Sequence, residues 1–378
     1  MKVYCIGTGA AVAPHKKATS FYNIVRESRP VISCTSYMKK DKCVDVYAAK
    51  IKDSSSLNGK LYEISEAAMS EAVGQAGLST EELRSNKRIG FVYGTSLADM
   101  MMYEAYVKEA DALQLNGFAA DISYRLRKHF RLHGPGYTIT NACATGVSAV
   151  EIADRLIQDN IVDTCIVGCA DIVSDFILAG MDRLKILNKS GKMQPFSAKS
   201  EGLILGDGAG FVVLSSSKTK NTACCIAGYS VTNDAIHIST PDICAVQLNR
   251  AIHESLLMAG ITAADIDVVA CSGNGIEAND LMQANAIKNM GLSESAKVVS
   301  VKPLIGHTLA ASGLLELIAA AYMMKDGFII PYCNDYQKAF EFLEIPFSKK
   351  SEMRQINHVL LIVTGFGGIN GSVVLSEK

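Results

Sequence analysis

The sequence predicts an α/β protein made of two related halves, in which helices cover both faces of the strands. Two observations lead to this prediction: amphipathic helical segments alternate with short apolar strands along the chain, and the same helix–strand units recur in the same order. With 378 residues, 49% of them hydrophobic, the chain is long enough for one large or two ordinary domains.

Four pairs of similar segments indicate the duplication. A helix ending near Gly77 and another ending near Gly260 are each followed by an apolar strand and a glycine turn, "RIGFVYGTS" and "DVVACSGNG". Later, "ATGVSAVEIADRLI" resembles "AASGLLELIAAAYM", and "GAGFVVLSS" resembles "INGSVVLSE". Helix–strand units can look alike by chance, but the shared order favours duplication into halves at 1–217 and 218–378. Without a Pro/Gly/Ser-rich linker, the halves are expected to pack as one body.

Charge and cysteine patterns exclude several classes of protein. The 37 basic and 38 acidic residues balance, which is not typical of a nucleic-acid-binding protein. The eleven cysteines show neither CxxC pairs nor the spacing of a zinc site or disulfide framework. The N-terminal "MKVYCIGTG" resembles a first strand, and no apolar run is long enough to span a bilayer. We therefore expect a soluble cytoplasmic protein that binds no metal, nucleic acid or membrane.

Cys143 lies in "TITNACATGVSAVEIADRLIQ", between a β-favouring run and an amphipathic helix predicted to begin near Ala144. Free N–H groups and the macrodipole at a helix N-terminus stabilise an anion, which would lower the pKa of this thiol. Ala142 and Gly146 are small enough to let a substrate approach. From these residues alone, a buried and inert cysteine remains the other interpretation.

The order of several further motifs resembles that of the β-ketoacyl-[acyl-carrier-protein] synthases of the thiolase superfamily. "GPGYTITNACATG" is similar to their nucleophile turn, and "QPFSAKSEGLILGDGAGFVVL" is similar to their Pro-Phe…Gly-Ala-Gly segment. "GYSVTNDAIHISTPD" resembles their gating loop, "VKPLIGHTLAASGLLE" their second-histidine motif, and "TGFGGINGSVVL" their C-terminal turn. The resemblance covers residues from about 60 to the end and implies the duplicated, five-layered αβαβα thiolase fold.

The resemblance implies a reaction sequence. Cys143 takes an acyl group from the phosphopantetheine thioester of an acyl carrier protein, and the backbone N–H groups of Cys143 and Phe366 form the oxyanion hole. A malonyl thioester then loses carbon dioxide, and its enolate attacks the acyl-cysteine. No bound cofactor is implied, because the carrier's phosphopantetheine presents both substrates.

His307, Lys302 and Glu316 match the second-histidine motif and its charged partners. A neutral imidazole at His307 would donate a hydrogen bond to the malonyl carbonyl and stabilise the enolate. Glu316 lies in the apolar segment "SGLLELIAAAYM", where a carboxylate requires a partner, and Lys302 would supply it.

The first histidine of the family is missing. In "VVACSGNGIEAND", Ser272 stands where that histidine is expected, and Asn274 and Ile276 replace two threonines that face the pantetheine. Asp280 keeps its family identity. Serine can donate one hydrogen bond but cannot become cationic. We therefore assign Ser272 to the catalytic set, and Asn274 to substrate binding and to a possible second donor.

Four further residues complete the predicted site. Phe366 matches a gating phenylalanine and is assigned to the catalytic set, and Gly367, which follows it in the C-terminal turn, is assigned to substrate binding. Asp234 and His237 match the gating loop and are assigned to substrate binding. The alternatives are core packing for Phe366 and ordinary surface-loop polarity for Asp234 and His237.

Three functions remain open at this stage. The protein is an active condensing enzyme, an acyl-transferring enzyme that does not elongate, or a noncatalytic partner similar to chain-length factors. Retention of Cys143 argues against the last. Thiolases proper use a second cysteine near the C-terminus, and "TGFGGIN" has none. The expected partners are an acyl carrier protein and a second subunit, in a homodimer or in a heterodimer with another synthase-like chain.

Overall fold

A computed structural model describes residues 1–16, 18–39, 42–52, 59–108, 118–332 and 344–377. Within these ranges the strands are β1 (Val3–Val12), β2 (Ser33–Lys39), β3 (Lys42–Ala49), β4 (Ile89–Gly94), β5 (Gly136–Ile139), β6 (Thr164–Asp171), β7 (Leu205–Gly206), β8 (Gly208–Ser215), β9 (Cys224–Asn233), β10 (Val268–Cys271), β11 (Lys297–Val299), β12 (Phe328–Ile329), β13 (Glu352–Met353), β14 (His358–Gly365) and β15 (Ile369–Ser376). The α-helices are α1 (Ala18–Glu27), α2 (Lys60–Ala76), α3 (Thr80–Ser85), α4 (Met100–Lys108), α5 (Ala119–His129), α6 (Thr145–Gln158), α7 (Asp175–Arg183), α8 (Val246–Ala259), α9 (Glu277–Asn289), α10 (Lys302–Ile305) and α11 (Ser312–Asp326). Short 3₁₀ helices cover Ala263–Asp265 and Leu309–Ala311.

The main sheet has ten strands in the order β11-β10-β14-β15-β9-β1-β8-β6-β4-β5. β1 and β9 pair at its centre, so each side of the sheet comes from one part of the chain. From the centre outwards, one side consists of β1, β8, β6, β4 and β5, and the other of β9, β15, β14, β10 and β11. If the five strands of each side are numbered along the chain, both sides have the same order: first, fifth, fourth, second, third. On both sides the outer pairs are parallel and the inner pairs antiparallel. The predicted duplication is confirmed.

The helices form layers around the two half-sheets. α2 packs on the outside of β1, β8 and β6, and α8 packs on the outside of β9 and β15. α6 and α11 contact each other and strands from both half-sheets, so they lie between them. The resulting order of helix, sheet, helix pair, sheet and helix is the predicted five-layered arrangement.

Two equivalent glycines let the central helices cross at close range. A Cβ atom on Gly146 in α6 would lie 2.8 Å from the backbone nitrogen of Leu314 and 3.2 Å from the Cα atom of Gly313 in α11. Only glycine permits this backbone approach. Cys143 lies just before α6 and His307 just before α11, so the crossing brings the two loops that carry them together.

The outer helices of the two halves end in the same way. Gly77 and Gly260 follow α2 and α8 with φ angles of 75° and 70°, the left-handed conformation that commonly terminates a helix. The sequence similarity around these glycines therefore reflects one repeated structural unit.

None of the helices in the described ranges combines the length and apolar character needed to cross a bilayer. All ten cysteines that fall in those ranges are free thiols. Most of them lie in the buried strands, which accounts for their position within apolar runs.

Candidate active site

A hydrogen-bonded turn presents Cys143 between β5 and α6. Ala142 has a φ of 47°, a left-handed conformation that an alanine adopts only when its surroundings hold it there. The Thr145 hydroxyl donates to the carbonyl of Ala142 (2.6 Å) and accepts from the backbone N–H of Asn141 (2.8 Å). Ser96 donates to the same carbonyl over 3.2 Å. This turn holds Cys143 in a fixed position, in which the residue as a whole is half-buried.

The expectation that the helix N-terminus lowers the pKa of Cys143 is wrong for the unliganded protein. Burial raises the pKa of this thiol to about 11, and the Asp171 carboxylate adds to the rise. The Lys302 ammonium and the backbone N–H groups of Phe366 and Cys143 oppose the rise. Loss of water around the sulfur therefore outweighs the favourable charge and dipoles.

Alkylation of Cys143 by iodoacetamide should accelerate about tenfold per pH unit between pH 7 and 9.5, because thiolate is the reacting form and its fraction keeps rising below the pKa. Peptide mass mapping over a pH series measures this rate, with the exposed thiols of Cys34, Cys43 and Cys244 as accessible references. If the alkylation rate levels off below pH 8, the pKa of Cys143 is lowered after all, as the helix N-terminus had suggested.

His307 reaches the nucleophile because its backbone pairs with the first half of the chain. Its N–H donates to the carbonyl of Ile204 (2.7 Å), and its carbonyl accepts from the N–H of Gly206 (3.0 Å). The ring nitrogen Nδ1 accepts the backbone N–H of Leu309 over 2.9 Å, which leaves the ring proton on Nε2. Burial, followed by the Lys302 charge, lowers the pKa of His307 to about 3. The imidazole is therefore neutral at ordinary pH.

Lys302 and Glu316 form a buried ion pair next to this histidine. Each side chain is 1% exposed, and Nζ of Lys302 donates to Oε1 of Glu316. Nζ also donates to the hydroxyl of Ser272 over 3.0 Å. Burial raises the pKa of Glu316 to about 7, against the opposing charge of Lys302. The predicted pairing of these two residues is present, and Ser272 is its third member.

Part of the predicted site lines a narrow cleft. Cys143, His307, Asn274 and Phe366 line it, together with Met181, Leu203, Leu205, Ile276, Asn279, Leu309, Thr364 and Gly365. Ser272, Lys302, Glu316 and Gly367 are not among the lining residues. Ser272 is 1% exposed and its hydroxyl accepts from Lys302, so its side chain contacts the ion pair rather than the cleft.

Phe366 lies directly over the nucleophile turn because Gly365 precedes it. A Cβ atom on Gly365 would lie 3.1 Å from the backbone nitrogen of Cys143, so a larger residue would push the turns apart. The backbone N–H of Phe366 consequently faces the sulfur, as does that of Cys143 itself. These are the two N–H groups that the sequence interpretation assigned to an oxyanion hole.

The loop that carries Asp234 and His237 lies outside the cleft lining. Asp234 accepts from the Asn370 amide (2.7 Å) and from the Asp242 N–H (3.0 Å). The Gly367 N–H donates to the carbonyl of Ile238 over 2.7 Å, which ties this loop to the C-terminal turn behind Phe366. His237 is exposed, and its ring accepts from backbone N–H groups of its own loop.

Family models match most of the chain, from the first strand to residue 335, and thus the segments that carry Cys143 and His307. The N-terminal domain of β-ketoacyl synthases matches residues 2–220, and the C-terminal domain of the same family matches residues 223–335. The chain belongs to the β-ketoacyl synthase family. Members of this family are condensing enzymes of the acyltransferase type that act in fatty-acid and polyketide synthesis, and this synthase is one of them.

Individual relatives agree with the assignment. The synthase is 27% identical over 339 residues to a putative polyketide β-ketoacyl synthase 1 of Streptomyces halstedii, covering 82% of this chain and 80% of the relative. It is 30% identical over 276 residues to 3-oxoacyl-[acyl-carrier-protein] synthase 2 of Rhizobium meliloti (strain 1021), covering 69% of this chain and 64% of the relative.

Solved structures share the fold. The ishigamide ketosynthase/chain length factor superposes with a TM-score of 0.89 at 22% identity, covering 100% of this chain and 99% of that chain. A β-ketoacyl synthase from Burkholderia phymatum STM815 has a TM-score of 0.87 at 20% identity, with coverage of 100% and 99%. The duplicated thiolase fold predicted from the sequence is thus confirmed for this synthase.

Sequence reasoning missed seven of the twelve residues that line the cleft of the synthase. Met181 lies outside the quoted motifs, whereas Leu203, Leu205 and Leu309 lie inside two of them but are apolar residues of the kind expected in a core. Asn279 and Thr364 could have been noticed, because they lie inside or next to motifs singled out for other reasons, "SGNGIEAND" and "TGFGGIN".

Proposed function

We propose that the synthase joins an acyl group held on Cys143 to a malonyl unit carried by an acyl carrier protein, with loss of carbon dioxide. In this proposal the half at 1–217 supplies the nucleophile, and the half at 218–378 supplies the histidine. One observation supports it above all others: Cys143 and His307, which come from different halves, line the same cleft.

The first step is a thiol–thioester exchange. The sulfur of Cys143 bonds to the acyl carbonyl carbon, the carbon–sulfur bond to the carrier's phosphopantetheine breaks, and the released thiolate takes the proton that Cys143 gives up. The N–H groups of Cys143 and Phe366, which face the sulfur, stabilise the tetrahedral oxyanion by about 3 kcal/mol each. Because the exchange consumes no net proton, the raised thiol pKa does not prevent it.

The second step creates the nucleophile from the malonyl thioester. Its carbon–carboxylate bond breaks, carbon dioxide leaves, and the electron pair becomes an enolate. Nε2–H of His307 donates to the thioester oxygen as charge builds there. The enolate carbon then attacks the acyl carbonyl, and the Cys143 thiolate leaves. The fixed tautomer and the low pKa of His307 support a neutral hydrogen-bond donor in this role.

We assign the second donor to Asn274 rather than Ser272. Asn274 lines the cleft, and its Oδ1 accepts the backbone N–H of Ile276 over 3.0 Å, so its side-chain NH₂ group remains to donate. Ser272 is hydrogen-bonded to Lys302 below the cleft surface. Its role in this proposal is to position Lys302 and Glu316 behind His307.

Asn274→Ala should slow release of carbon dioxide from a malonyl carrier by at least about tenfold, because it removes a hydrogen bond that strengthens as the enolate forms. Ser272→Ala should cost severalfold less, since it removes only one contact of the buried ammonium. Labelled carbon dioxide release by the two variants measures both effects. If Ser272→Ala slows carbon dioxide release more than Asn274→Ala does, the second hydrogen-bond donor is Ser272.

The proposed partners are an acyl carrier protein and a second synthase-like subunit, either another copy of this chain or a related one. Strand β5 ends the main sheet and Tyr137 on it is 46% exposed, so its backbone edge is available for pairing. Solved structures with this fold include a ketosynthase in complex with its chain length factor and one bound to its acyl-carrier protein. We further propose a cytoplasmic location and no resident cofactor or metal.

Intact-mass analysis of the purified synthase with acyl carrier and malonyl carrier tests the proposed function. We expect an acyl adduct on Cys143, followed by a carrier-bound product two carbons longer. An acyl adduct without carbon dioxide release would instead identify an acyl-transferring enzyme. If no adduct forms alone or with a co-expressed synthase-like chain, the protein is a noncatalytic partner subunit.

A further inference from the structure

The cleft beside Cys143 has two kinds of lining. Met181, Leu203, Leu205 and Leu309 belong to one hydrophobic cluster, against which Phe366 also packs. Apart from Cys143 and His307, the polar lining side chains are Asn274, Asn279 and Thr364, and none of these belongs to that cluster. The lining therefore offers both apolar contacts and a few polar side chains.

Sheet geometry brings these polar residues together. β10 and β14 are parallel neighbours, with Cys271 opposite Ile362, so the loops after both strands leave the same edge of the sheet. Side chains alternate along β14: Val363 packs into the central core, whereas Ile362 packs with Met282 of α9. Thr364 shares the face of Ile362 and is directed to the side of the sheet on which α9 lies.

The polar residues have unused hydrogen-bonding capacity. Thr364 is 4% exposed, and its hydroxyl has no hydrogen-bond partner in the described part of the chain. Asn279 is also buried in the first turn of α9, and within the described ranges its side-chain amide makes no hydrogen bond. A buried hydroxyl without a partner destabilises the folded protein, so its presence in a substrate cleft indicates a ligand that pairs with it.

We propose that Thr364 and Asn279 form the subsite for the carboxylate of the malonyl unit. This inference rests on the proposed function, in which His307 and Asn274 hold the thioester oxygen of the same molecule. A saturated acyl chain has no polar atom to offer beyond its own carbonyl, which belongs in the oxyanion hole. The malonyl carboxylate is the remaining group in the reaction that requires hydrogen-bond donors.

Neutral donors suit a carboxylate that is about to be lost. The buried ammonium of Lys302 is already paired with Glu316, so it is not available to neutralise the malonyl group. An ion pair would stabilise the charged ground state and oppose its conversion to neutral carbon dioxide, because only interactions that strengthen in the transition state accelerate a reaction. A hydroxyl and an amide orient the carboxylate without that cost.

Binding of two unreactive ligands tests this subsite. The probes are phosphopantetheine amides of malonic acid and of acetic acid, in which NH replaces the thioester sulfur, and calorimetry with the full-length synthase gives both affinities. We expect the malonyl amide to bind about tenfold or more tightly than the acetyl amide. Thr364→Val should bring this ratio close to one, whereas Thr364→Ser should retain most of it.

Ser300 provides a matched control. Like Thr364 it is 4% exposed and has a buried hydroxyl without a partner among the described residues, but it does not line the cleft. Ser300→Ala should leave the ratio of affinities unchanged, and neither it nor Thr364→Val should lower the melting temperature, since each removes an unsatisfied group.

Two results would overturn the inference: no preference for the malonyl amide in the unaltered synthase, or a preference that survives in Thr364→Val. Both are binding measurements and do not depend on turnover. If acyl transfer to Cys143 succeeds and the preference is absent, the proposed function stands and only the subsite fails. If the synthase prefers the malonyl amide but forms no elongated product, the subsite stands and the proposed condensation fails.

Discussion

His307→Ala lowers the rate of carbon dioxide release from a malonyl carrier by about 10²–10³-fold, while Cys143 still accepts an acyl group. The variant loses the Nε2–H donor that stabilises the enolate, but it keeps the turn that presents the sulfur and the two N–H groups that face it. The two half-reactions are therefore expected to separate in this single variant.

Labelled carbon dioxide release and the intact mass of the protein measure the two half-reactions in one sample. His307→Gln is the matched variant, because its amide can restore a neutral donor, and it should recover part of the lost rate. The low pKa of His307 adds a second expectation: the ring stays neutral down to about pH 3, so its protonation does not slow decarboxylation between pH 7 and 5. Equal loss of acylation and decarboxylation in His307→Ala would contradict the assigned role.

Lys302→Met lowers the free energy of unfolding by about 3–5 kcal/mol, because it leaves the Glu316 carboxylate buried without a partner. Both side chains are 1% exposed, and Oε2 of Glu316 already lacks a hydrogen-bond partner among the described residues. Urea denaturation at pH 8 measures the loss. Methionine preserves most of the volume of the lysine, so a cavity does not explain the effect.

The double variant Lys302→Met/Glu316→Leu is the control. Removing both charges should recover most of the stability, because a buried ion pair contributes little beyond an apolar pair of similar size. The pH dependence of the single variant has a definite sign. The pKa of Glu316 is raised from its ordinary value of 4.5 to about 7 in the folded protein, so the folded state binds more protons than the unfolded state between these pH values. The free energy of unfolding therefore falls as the pH rises from about 4.5 through 7. A loss below about 1 kcal/mol at pH 8 would show that water reaches this pair.

The fold could be predicted because the duplication is visible as similar short segments in the sequence. The glycines that end α2 and α8 are required by local backbone geometry, and those at the crossing of α6 and α11 by the close approach of the two helices, so similar residues recur at equivalent positions. The alternation of helices and strands supplied the class of fold. Neither inference needed knowledge of which distant residues touch.

The site was predicted less completely, for physical reasons that differ between residues. The placement of Cys143 before a helix follows from local sequence, and the need of Glu316 for a partner follows from the cost of burying a lone charge, whereas the choice of Lys302 came from the resemblance to the family. The raised pKa of Cys143 does not, because desolvation depends on segments far away in the sequence. A helix N-terminus is visible in a sequence, whereas the loss of water around a sulfur is not.

Ser272 and Thr364 also have properties that depend on tertiary packing and could not be predicted from local sequence. The position of Ser272 in its motif was read from the sequence, yet its orientation towards Lys302 depends on how α10 packs. The unpaired hydroxyl of Thr364 is a property of the assembled cleft and has no counterpart in the amino-acid pattern.

A crystal structure of the synthase after transfer of a butyryl group from its carrier tests the central claim most directly. We expect a thioester on Cys143 whose carbonyl oxygen lies about 3 Å from the backbone nitrogens of both Cys143 and Phe366, with Nε2 of His307 directed into the same cleft. A carbonyl oxygen turned away from both nitrogens, or a butyryl group attached to another residue while Cys143 stays free, would contradict the account.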